Sequence, residues 1–358
     1  MKRPTQTDVA RLARVSRATV SYVLSNRLGG RVPISQDTVR RVLEAAGRLK
    51  YEPDARAHAL RLGESKIIGL LVPDLRNPHF WQIVYGIEAA AHKSGYDLLV
   101  LHSALSQKEE NACIRSLSHR KVDGLIFLLS FTPLSPKTVN ELIQRHHAIV
   151  DISDFGSPFD TVVANYEEGT RQLMAHLIGL GHRRIGFIYG VPNQDVGSDR
   201  MLPFQNAMRD AGLAAGEELV EYCGTGIDDG YKAAHRLLGR EDRPTALVVI
   251  NDLLGIGAMR AAADLKLEIP RHLSLASFDD IPVAAHLTPR LTTVHRDTEQ
   301  CGALAVELLL NRLRNPKLPQ QVQNVESSLV VRESTGPAAS SAAGTGAPHT
   351  AGTAAPPA

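Results

Sequence analysis

Cysteine, aromatic residues and long apolar runs are all scarce in this chain, and each scarcity excludes something. Only three cysteines occur in 358 residues, Cys113, Cys223 and Cys301, far apart and odd in number. With no C-x-x-C pair and no Cys/His cluster of ligand spacing, neither a disulfide framework nor a metal site is expected, and the thiols should be reduced small hydrophobes in a cytoplasmic protein. Aromatic residues make up 5% of the chain. No run approaches the roughly 18 apolar residues of a membrane span, and the N-terminal MKRPTQTDVARLARV has no apolar h-region, so neither a span nor a signal peptide is expected. Phosphate-cradling loops are missing too. After the first strand pattern the chain reads LLVPDLRNPHF, without G-x-G-x-x-G, and G-x-x-x-x-G-K-[ST] occurs nowhere. The GIGAMRAA after Asn251 has a G-x-G without the third glycine, which helix–strand packing explains. His182, in LGHRRIGF, follows a glycine turn and is expected to be satisfied by backbone rather than to act as a base. No Ser/His/Asp constellation is legible. An enzyme is therefore not expected, and no cofactor is implied.

What is present is charge, unevenly placed. The formal net charge is only +2. Residues 1–64, however, hold thirteen Lys/Arg against six Asp/Glu, and the remainder holds twenty-seven against thirty-two. A small basic module on an acidic body is the footprint of a DNA-binding head. Within it, Thr7 to Asn26 (TDVARLARVSRATVSYVLSN) contains two short helical patterns. Thr7 is placed to cap the first and Ser16 the second. Val9, Leu12 and Ala13 share one face, as do Val20, Val23 and Leu24. The link Arg14-Val15 allows only a steep crossing, which is the geometry of a helix-turn-helix whose second helix enters the major groove of double-stranded DNA. Arg17, Ala18, Ser21 and Tyr22 lie off its core face. Arg17 has the chemistry to pair with guanine and Ala18 to touch a thymine methyl. The hydroxyls of Ser16, Thr19 and Ser21 suit phosphate. The alternative is a capped helical hairpin without a ligand. Ser35 then caps a third helix with the stripe Val39, Val42, Leu43, Ala46 and Leu49. Residues 1–50 thus read as an all-α head. Arg40, Arg41 and Arg48 on this helix are either a solvated face or phosphate contacts.

The residues Thr7, Asp8-Val9-Ala10, Ala13, Val15-Ser16 and Thr19-Val20-Ser21 resemble the head pattern of the lactose/galactose repressor family, and the resemblance extends to about Arg332. It implies a transcriptional regulator, a repressor, that binds a pseudo-palindromic operator as a homodimer under the control of a small-molecule effector. Asn26 joins the DNA-contacting positions. Residues 51–64 resemble the family's hinge helix. Pro53 can open it, and the seven residues after Pro53 are too few to fold alone. Ala57 and Leu60 fall at its DNA positions, Leu60 as an apolar wedge in the minor groove. The alternative is a plain linker with Leu60 packed on the body. Two departures stand out. Arg14 replaces a turn glycine, where a left-handed backbone costs a non-glycine residue roughly 1–2 kcal/mol. His58 stands where many relatives carry Arg.

From Lys66 the texture becomes alternating strands and helices. Strand patterns at Ile67–Val72, Asp97–Leu101, Asp123–Leu129 and Ala148–Ile152 enclose helical ones at Phe80–Lys93, Lys108–His119 and Pro136–Arg145. A second series runs from Glu167–Leu180 to Leu273–Ser277. Repeated β-α units imply parallel sheets covered by helices, and their number implies two lobes. Residues 65–335 are therefore expected to form a two-lobed α/β domain, which resembles the periplasmic-binding-protein fold. The helical pattern Thr298–Arg312 followed by Val325–Arg332 predicts a late crossing back to the first lobe. From Glu333 the chain is rich in Ala, Gly, Ser, Thr and Pro, and residues 336–358 are assigned to a disordered tail.

Ligands bind beyond the carboxyl ends of such strands, in the cleft between lobes. Asp151, Asn251 and Asp279 follow strand patterns, and Arg200 lies on a helix after a loop. Together they offer directional donors and acceptors for hydroxyl groups. The resemblance places effector-binding residues at these four positions and at His79 and Phe80, with Trp81 a neighbour. Asp280 is expected in an ion pair or cap instead. Leu202-Pro203-Phe204 lacks the glycine that relatives carry before the aromatic, and GTGIDDGY lacks a capping aromatic. A neutral carbohydrate or nucleoside-like effector is expected, because Arg200 is the only obvious cation among these positions. A solute-binding protein without a DNA function is the alternative. The basic head and the missing signal peptide stand against it.

Overall fold

The computed structural model describes residues 4–24, 34–51, 64–128, 134–145, 148–153, 157–190, 198–213 and 216–338. The chain divides into two units, Met1–Lys66 and Ile67–Ala358.

The first unit holds α1 (Gln6–Ala13), α2 (Arg17–Leu24) and α3 (Gln36–Arg48). Val9, Ala13, Val20, Val23, Val42 and Ala46 close one small core among them. The cap of α1 is Thr5, not Thr7. Thr5 and Asp8 form a reciprocal capping box, with the Thr5 N–H donating to the Asp8 carboxylate at 2.9 Å, so both satisfy first-turn groups. Thr7 lies inside the helix and is exposed. Ser16 caps α2 as expected, accepting from the Thr19 N–H at 3.0 Å, and Ser35 caps α3. Arg14 sits at φ 54°, ψ 48°, the left-handed turn that its replacement of glycine foretold. Leu12 and Leu43 do not join the core; they are 46% and 53% exposed. Leu12 lies on a helix of eight residues and Leu43 on one of thirteen, and on both the buried stripe is narrower than the i, i+3, i+4 set suggests.

The second unit contains two six-stranded sheets. The first has the order β11-β5-β4-β3-β1-β2 and the second β12-β10-β9-β8-β6-β7. The first comprises β1 (Ile67–Val72), β2 (Asp97–His102), β3 (Gly124–Leu128), β4 (Ile149–Ser153), β5 (Asp160–Val163) and β11 (Val322–Asn324). The second comprises β6 (Ile185–Tyr189), β7 (Val220–Tyr222), β8 (Ala246–Val249), β9 (Ser274–Phe278), β10 (Thr292–Arg296) and β12 (Ser327–Val330). Every pairing is parallel except β10 with β12. The central strands β1, β3, β6 and β8 are near-continuous apolar runs because helices cover both faces. On the first lobe these are α4 (Pro78–Lys93), α5 (Gln107–Ser118), α6 (Pro136–Arg145) and the late helix α11 (Thr298–Arg314). On the second they are α7 (Glu167–Gly179), α8 (Ser198–Asp210), α9 (Ile227–Leu238) and α10 (Asp252–Asp264).

Three segments cross between the lobes, after β5, after β10 and after β11. The predicted late helix does return to the first lobe, where α11 packs on α4. The segment after it does not stay there. β12 pairs antiparallel with β10 in the second sheet. Each lobe closes on one tight helix pair. A Cβ on Gly86 of α4 would meet the Glu299 carbonyl at 2.2 Å, and one on Gly257 of α10 would meet the Ile227 carbonyl at 2.0 Å. The G-x-G after Asn251 is thus split in use: Gly255 lies against strand side chains and Gly257 against α9.

The predicted tail begins too early. The Ser334 hydroxyl accepts from the Thr292 N–H at 2.8 Å and donates to the Leu275 carbonyl at 2.6 Å. Gly336 is bonded to Ser274, and the Ala338 N–H donates to the Leu180 carbonyl. Composition missed this strap because backbone groups and the Ser334 hydroxyl, not apolar side chains, make the contacts. Residues 339–358 lie outside the described residues.

Candidate functional site

Two surfaces carry the candidate residues. On the head, Thr7, Ser16, Arg17, Ala18 and Tyr22 are exposed, while Thr19 and Ser21 are half-buried. The Ser16 hydroxyl is engaged with Thr19 Oγ1 at 2.9 Å and with the Thr19 N–H. Ser16 therefore sets the start of α2, and Arg17 and Ala18 stand exposed on its first turn. Arg40 and Arg41 both pair with Asp37, and Arg41 also donates to the Ala13 carbonyl at 3.3 Å. Asn26, Ala57, His58 and Leu60 lie outside the described residues.

On the body, a cleft opens between the two lobes at the carboxyl ends of their strands. Its lining includes Asp74, Asn77, His79 and Phe80 from the first lobe and Arg200, Thr225, Asn251 and Asp279 from the second. Tyr166 and Arg296 line it at the crossings. Five of the six sequence-predicted residues therefore meet there. Asp151 does not. It is fully buried on β4 and accepts from the Ser153 hydroxyl at 2.8 Å, and it is Ser153 that reaches the cleft. Asp151 and Ser153 stand two apart on β4 and share one face of the strand; the cleft lies beyond the carboxyl end, and Asp151 stops two residues short of it.

Asp279 occupies the centre. It follows β9 at φ 101°, and Asp280 follows at φ 52°, two successive left-handed residues without glycine. Backbone strain of this kind persists only where surroundings over-determine it. Here Asp252 does so. Its carboxylate accepts from the Ile281 N–H at 2.7 Å, from Thr293 Oγ1 at 2.8 Å and from Ser277 Oγ. Asp280 pairs with Arg332 at 2.6 Å and His295 at 3.1 Å, an ion pair as expected. Asp279 itself accepts from the Tyr166 hydroxyl at 3.2 Å and lies 4.0 Å from Arg200.

His79, on α4 of the opposite lobe, brings Nδ1 to 3.6 Å from Asp279 Oδ1. Burial pushes its pKa down to about 4, against the pull of Asp279. The imidazole is therefore neutral at pH 7. Its tautomer follows from Arg296, whose Nη2 lies 3.4 Å from His79 Nε2. A guanidinium only donates, so Nε2 is the acceptor and Nδ1 carries the proton that faces Asp279. Phe80 packs edge-on to His79, with centroids 5.3 Å apart. Asn251 caps α10 through Leu254 at 2.8 Å and donates to the Thr225 carbonyl at 3.2 Å, so most of its amide is already used.

Tyr166 and Arg296 were not read from the sequence. Both mark chain crossings between the lobes, which local periodicity does not reveal. The Tyr166 ring carries Arg200 Cζ 3.9 Å and Arg296 Cζ 4.5 Å from its centroid. Such contacts stabilise by about 0.5–2 kcal/mol. Desolvating a buried ion costs several kcal/mol, so the ring offsets only part of it.

Elsewhere, His182 bonds to Thr245, Ser274 and the Gly336 carbonyl, which suits a structural residue. Phe204 is buried against Phe187, centroids 4.8 Å apart. No helix among the described residues is long and apolar enough to cross a membrane.

The chain matches two family models: bacterial regulatory proteins of the lacI family over residues 5–54, and the periplasmic binding protein-like domain over residues 174–335. It is 32% identical over 331 residues to the HTH-type transcriptional repressor PurR of Pectobacterium carotovorum subsp. carotovorum, covering 91% of this chain and 95% of that protein. It is 31% identical to the ribose operon repressor of Haemophilus influenzae, covering 92% and 98%. Among solved structures it resembles the lac repressor dimer bound to operator and the anti-inducer ONPF, with a TM-score of 0.81 and 26% identity over 94% of this chain and all of that one. It also resembles the regulator CelR in complex with cellobiose, with a TM-score of 0.68 and 29% identity over 93% and 100%.

Proposed function

Because the chain belongs to the lacI family of bacterial regulatory proteins, we propose that its helix-turn-helix and its interlobe cleft are the two ends of one ligand-controlled switch. It is a DNA-binding transcriptional repressor that acts as a dimer under a small-molecule effector. The site assignments are our own reading. Arg17, Ala18 and Tyr22 face base edges, with Thr7, Ser16, Thr19, Ser21 and Asn26 on or near phosphates. Ala57 and Leu60 work at the centre of the operator, Leu60 as a wedge between base steps. The protein works in the cytoplasm, where its DNA is. The dimer face includes α4, where Trp81 and Tyr85, one turn apart, are 50% and 62% exposed.

The effector is a hydroxylated small molecule of the carbohydrate or nucleoside class, held in the cleft by His79, Phe80, Arg200, Asn251 and Asp279. Asp151 acts from behind, through Ser153. The observation that carries this is the contact of His79 with Asp279 at 3.6 Å. These side chains come from opposite lobes, so a ligand hydroxyl bonded to Asp279 changes what holds the lobes together. Ligand binding must favour one lobe arrangement over another to change DNA affinity.

The test is Asp279→Ala in the full chain. Operator binding should persist, and the shift in operator affinity produced by a cell metabolite extract should disappear. A shift equal to that of the wild type would move the effector site elsewhere.

A further inference from the structure

We infer that Asp252, from behind the cleft, is a positioning residue of the effector site, fixing Asp279 and Asn251 in the mutual arrangement that the effector reads. The inference rests on the cleft being the effector site.

Asn251 and Asp279 line the cleft from two separate elements. Asn251 caps α10, and Asp279 follows β9. Asp252, the first residue of α10, is 1% exposed and stands behind that lining. Its carboxylate holds the Asp279 segment on both sides. Before Asp279, the Ser277 hydroxyl donates to Oδ1. After it, the Ile281 N–H donates to Oδ2 at 2.7 Å. Thr293 extends the hold to the residue between. Its hydroxyl donates to Asp252 Oδ1 at 2.8 Å and accepts from the Asp280 N–H at 3.3 Å.

This clamp opposes a tendency to relax. Asp279 and Asp280 sit at φ 101° and 52°, a left-handed backbone that is unfavourable for residues other than glycine. Once released, the segment would turn towards ordinary backbone and carry the Asp279 carboxylate with it. The bond from the Tyr166 hydroxyl at 3.2 Å and the contact with His79 at 3.6 Å would change together. Because Asp252 adjoins Asn251 in the chain, one carboxylate ties the amide of one element to the acceptor of the other. The clamp does not need a charge. Burial and the charge of Asp279 push the Asp252 pKa up to about 7, and the neutral form keeps the same partners, since a hydroxyl accepts as well as donates. Asparagine satisfies them too: its oxygen accepts from Ile281 and its amide group donates to the Ser277 and Thr293 hydroxyls.

The test uses the full chain and dilutions of a deproteinised bacterial metabolite extract. Protein is equilibrated with each dilution and separated, and the small molecules it retains are measured by mass spectrometry. The wild type should retain a compound that Asp279→Ala does not. Asp252→Ala should need at least roughly tenfold more extract for equal retention, as expected when only about a tenth of the chains hold the binding-competent segment. Asp252→Asn should retain the compound as the wild type does. Thr293→Val, which keeps the Ile281 bond and loses the link to Asp280, should fall between the wild type and Asp252→Ala. A lower melting temperature for Asp252→Ala, with no change in the extract needed, would mean a structural role alone and overturn the inference. Retention by Asp252→Asn as weak as that by Asp252→Ala would also overturn it, because charge rather than the clamp would then matter. If Asp252→Ala does not fold, Thr293→Val decides, and unchanged retention by it overturns the inference. Retention by Asp279→Ala equal to that of the wild type would overturn the cleft reading and this inference with it.

Discussion

Single titrating side chains give this protein pH dependences of opposite sign. Asp151 is fully buried, and its Oδ1 has no hydrogen-bond partner among the described residues. Burial pushes its pKa from 3.8 up to about 7. The folded chain therefore keeps a proton that the unfolded chain releases. Its contribution to stability is full below about pH 3.8 and is lost as pH rises through 7. Asp151→Asn keeps the shape and removes the ionisation. The variant should melt at a higher temperature than the wild type at pH 8, with the gap closing towards pH 5. An unchanged gap at both pH values would show that Asp151 is not held protonated. His79 works the other way: its lowered pKa gives stability that is full above 6.5 and lost as pH falls towards 4. The sequence made these residues visible as chemistry but not as environment. Asp279, Asn251, Arg200, His79 and Phe80 were found because polar or aromatic residues beside strand ends are legible. Asp151 looked the same but stands two residues before the end of β4, where Ser153 takes the place at the cleft. Tyr166 and Arg296 left no local signal, because only the crossing of the chain brings them to the cleft.

Elements were easier to read than their ends. The first four strand patterns of the body and the helices between them appear within about two residues of their expected bounds, because buried parallel strands are short, dense apolar runs. The missed strands β5, β10 and β11 are short or carry polar residues. DTVV and TTVHR alternate too weakly to be told from loop. The strap after β12 was hidden for a different reason: its bonds come from backbone and small hydroxyls. Ser334 is its anchor, fully buried and bonded to both Thr292 and Leu275. Ser334→Ala would strand one buried N–H and one carbonyl, at roughly 1–3 kcal/mol. Urea unfolding of the variant should show a midpoint lowered to match, with an unchanged slope. Ending the chain after Ala338 should leave the midpoint where it is. A Ser334→Ala variant as stable as the wild type would mean that the strap docks without contributing.

At the scale of the whole molecule, a repressor of this kind reads a two-fold operator because it is itself a dimer, so binding two half-sites makes the second contact intramolecular. The proposed dimer face and the cleft are separable. Tyr85 and Trp81 lie on the outer side of α4, beside Pro282 and Glu299, whereas His79 and Phe80 at the start of the same helix line the cleft. Fully burying an aromatic side chain removes about 150–250 Å² from water, and roughly half of that remains to be covered on Trp81 and Tyr85, which makes them candidates for interface anchors. Tyr85→Asp places a charge where the partner would pack. Sedimentation should show a monomer at concentrations where the wild type is a dimer. Affinity for a full operator should fall by about 10²-fold or more, towards that for a half-site. Retention of metabolites by the cleft should stay at the wild-type level, because no cleft residue has changed. A Tyr85→Asp protein that remains dimeric and keeps its full-site affinity would place the interface elsewhere. One that loses metabolite retention together with dimerisation would show that each cleft needs the partner to stay formed. In that case operator and effector would be coupled across the dimer as well as along the chain, and by linkage the operator would have to change effector affinity by the factor the effector changes operator affinity.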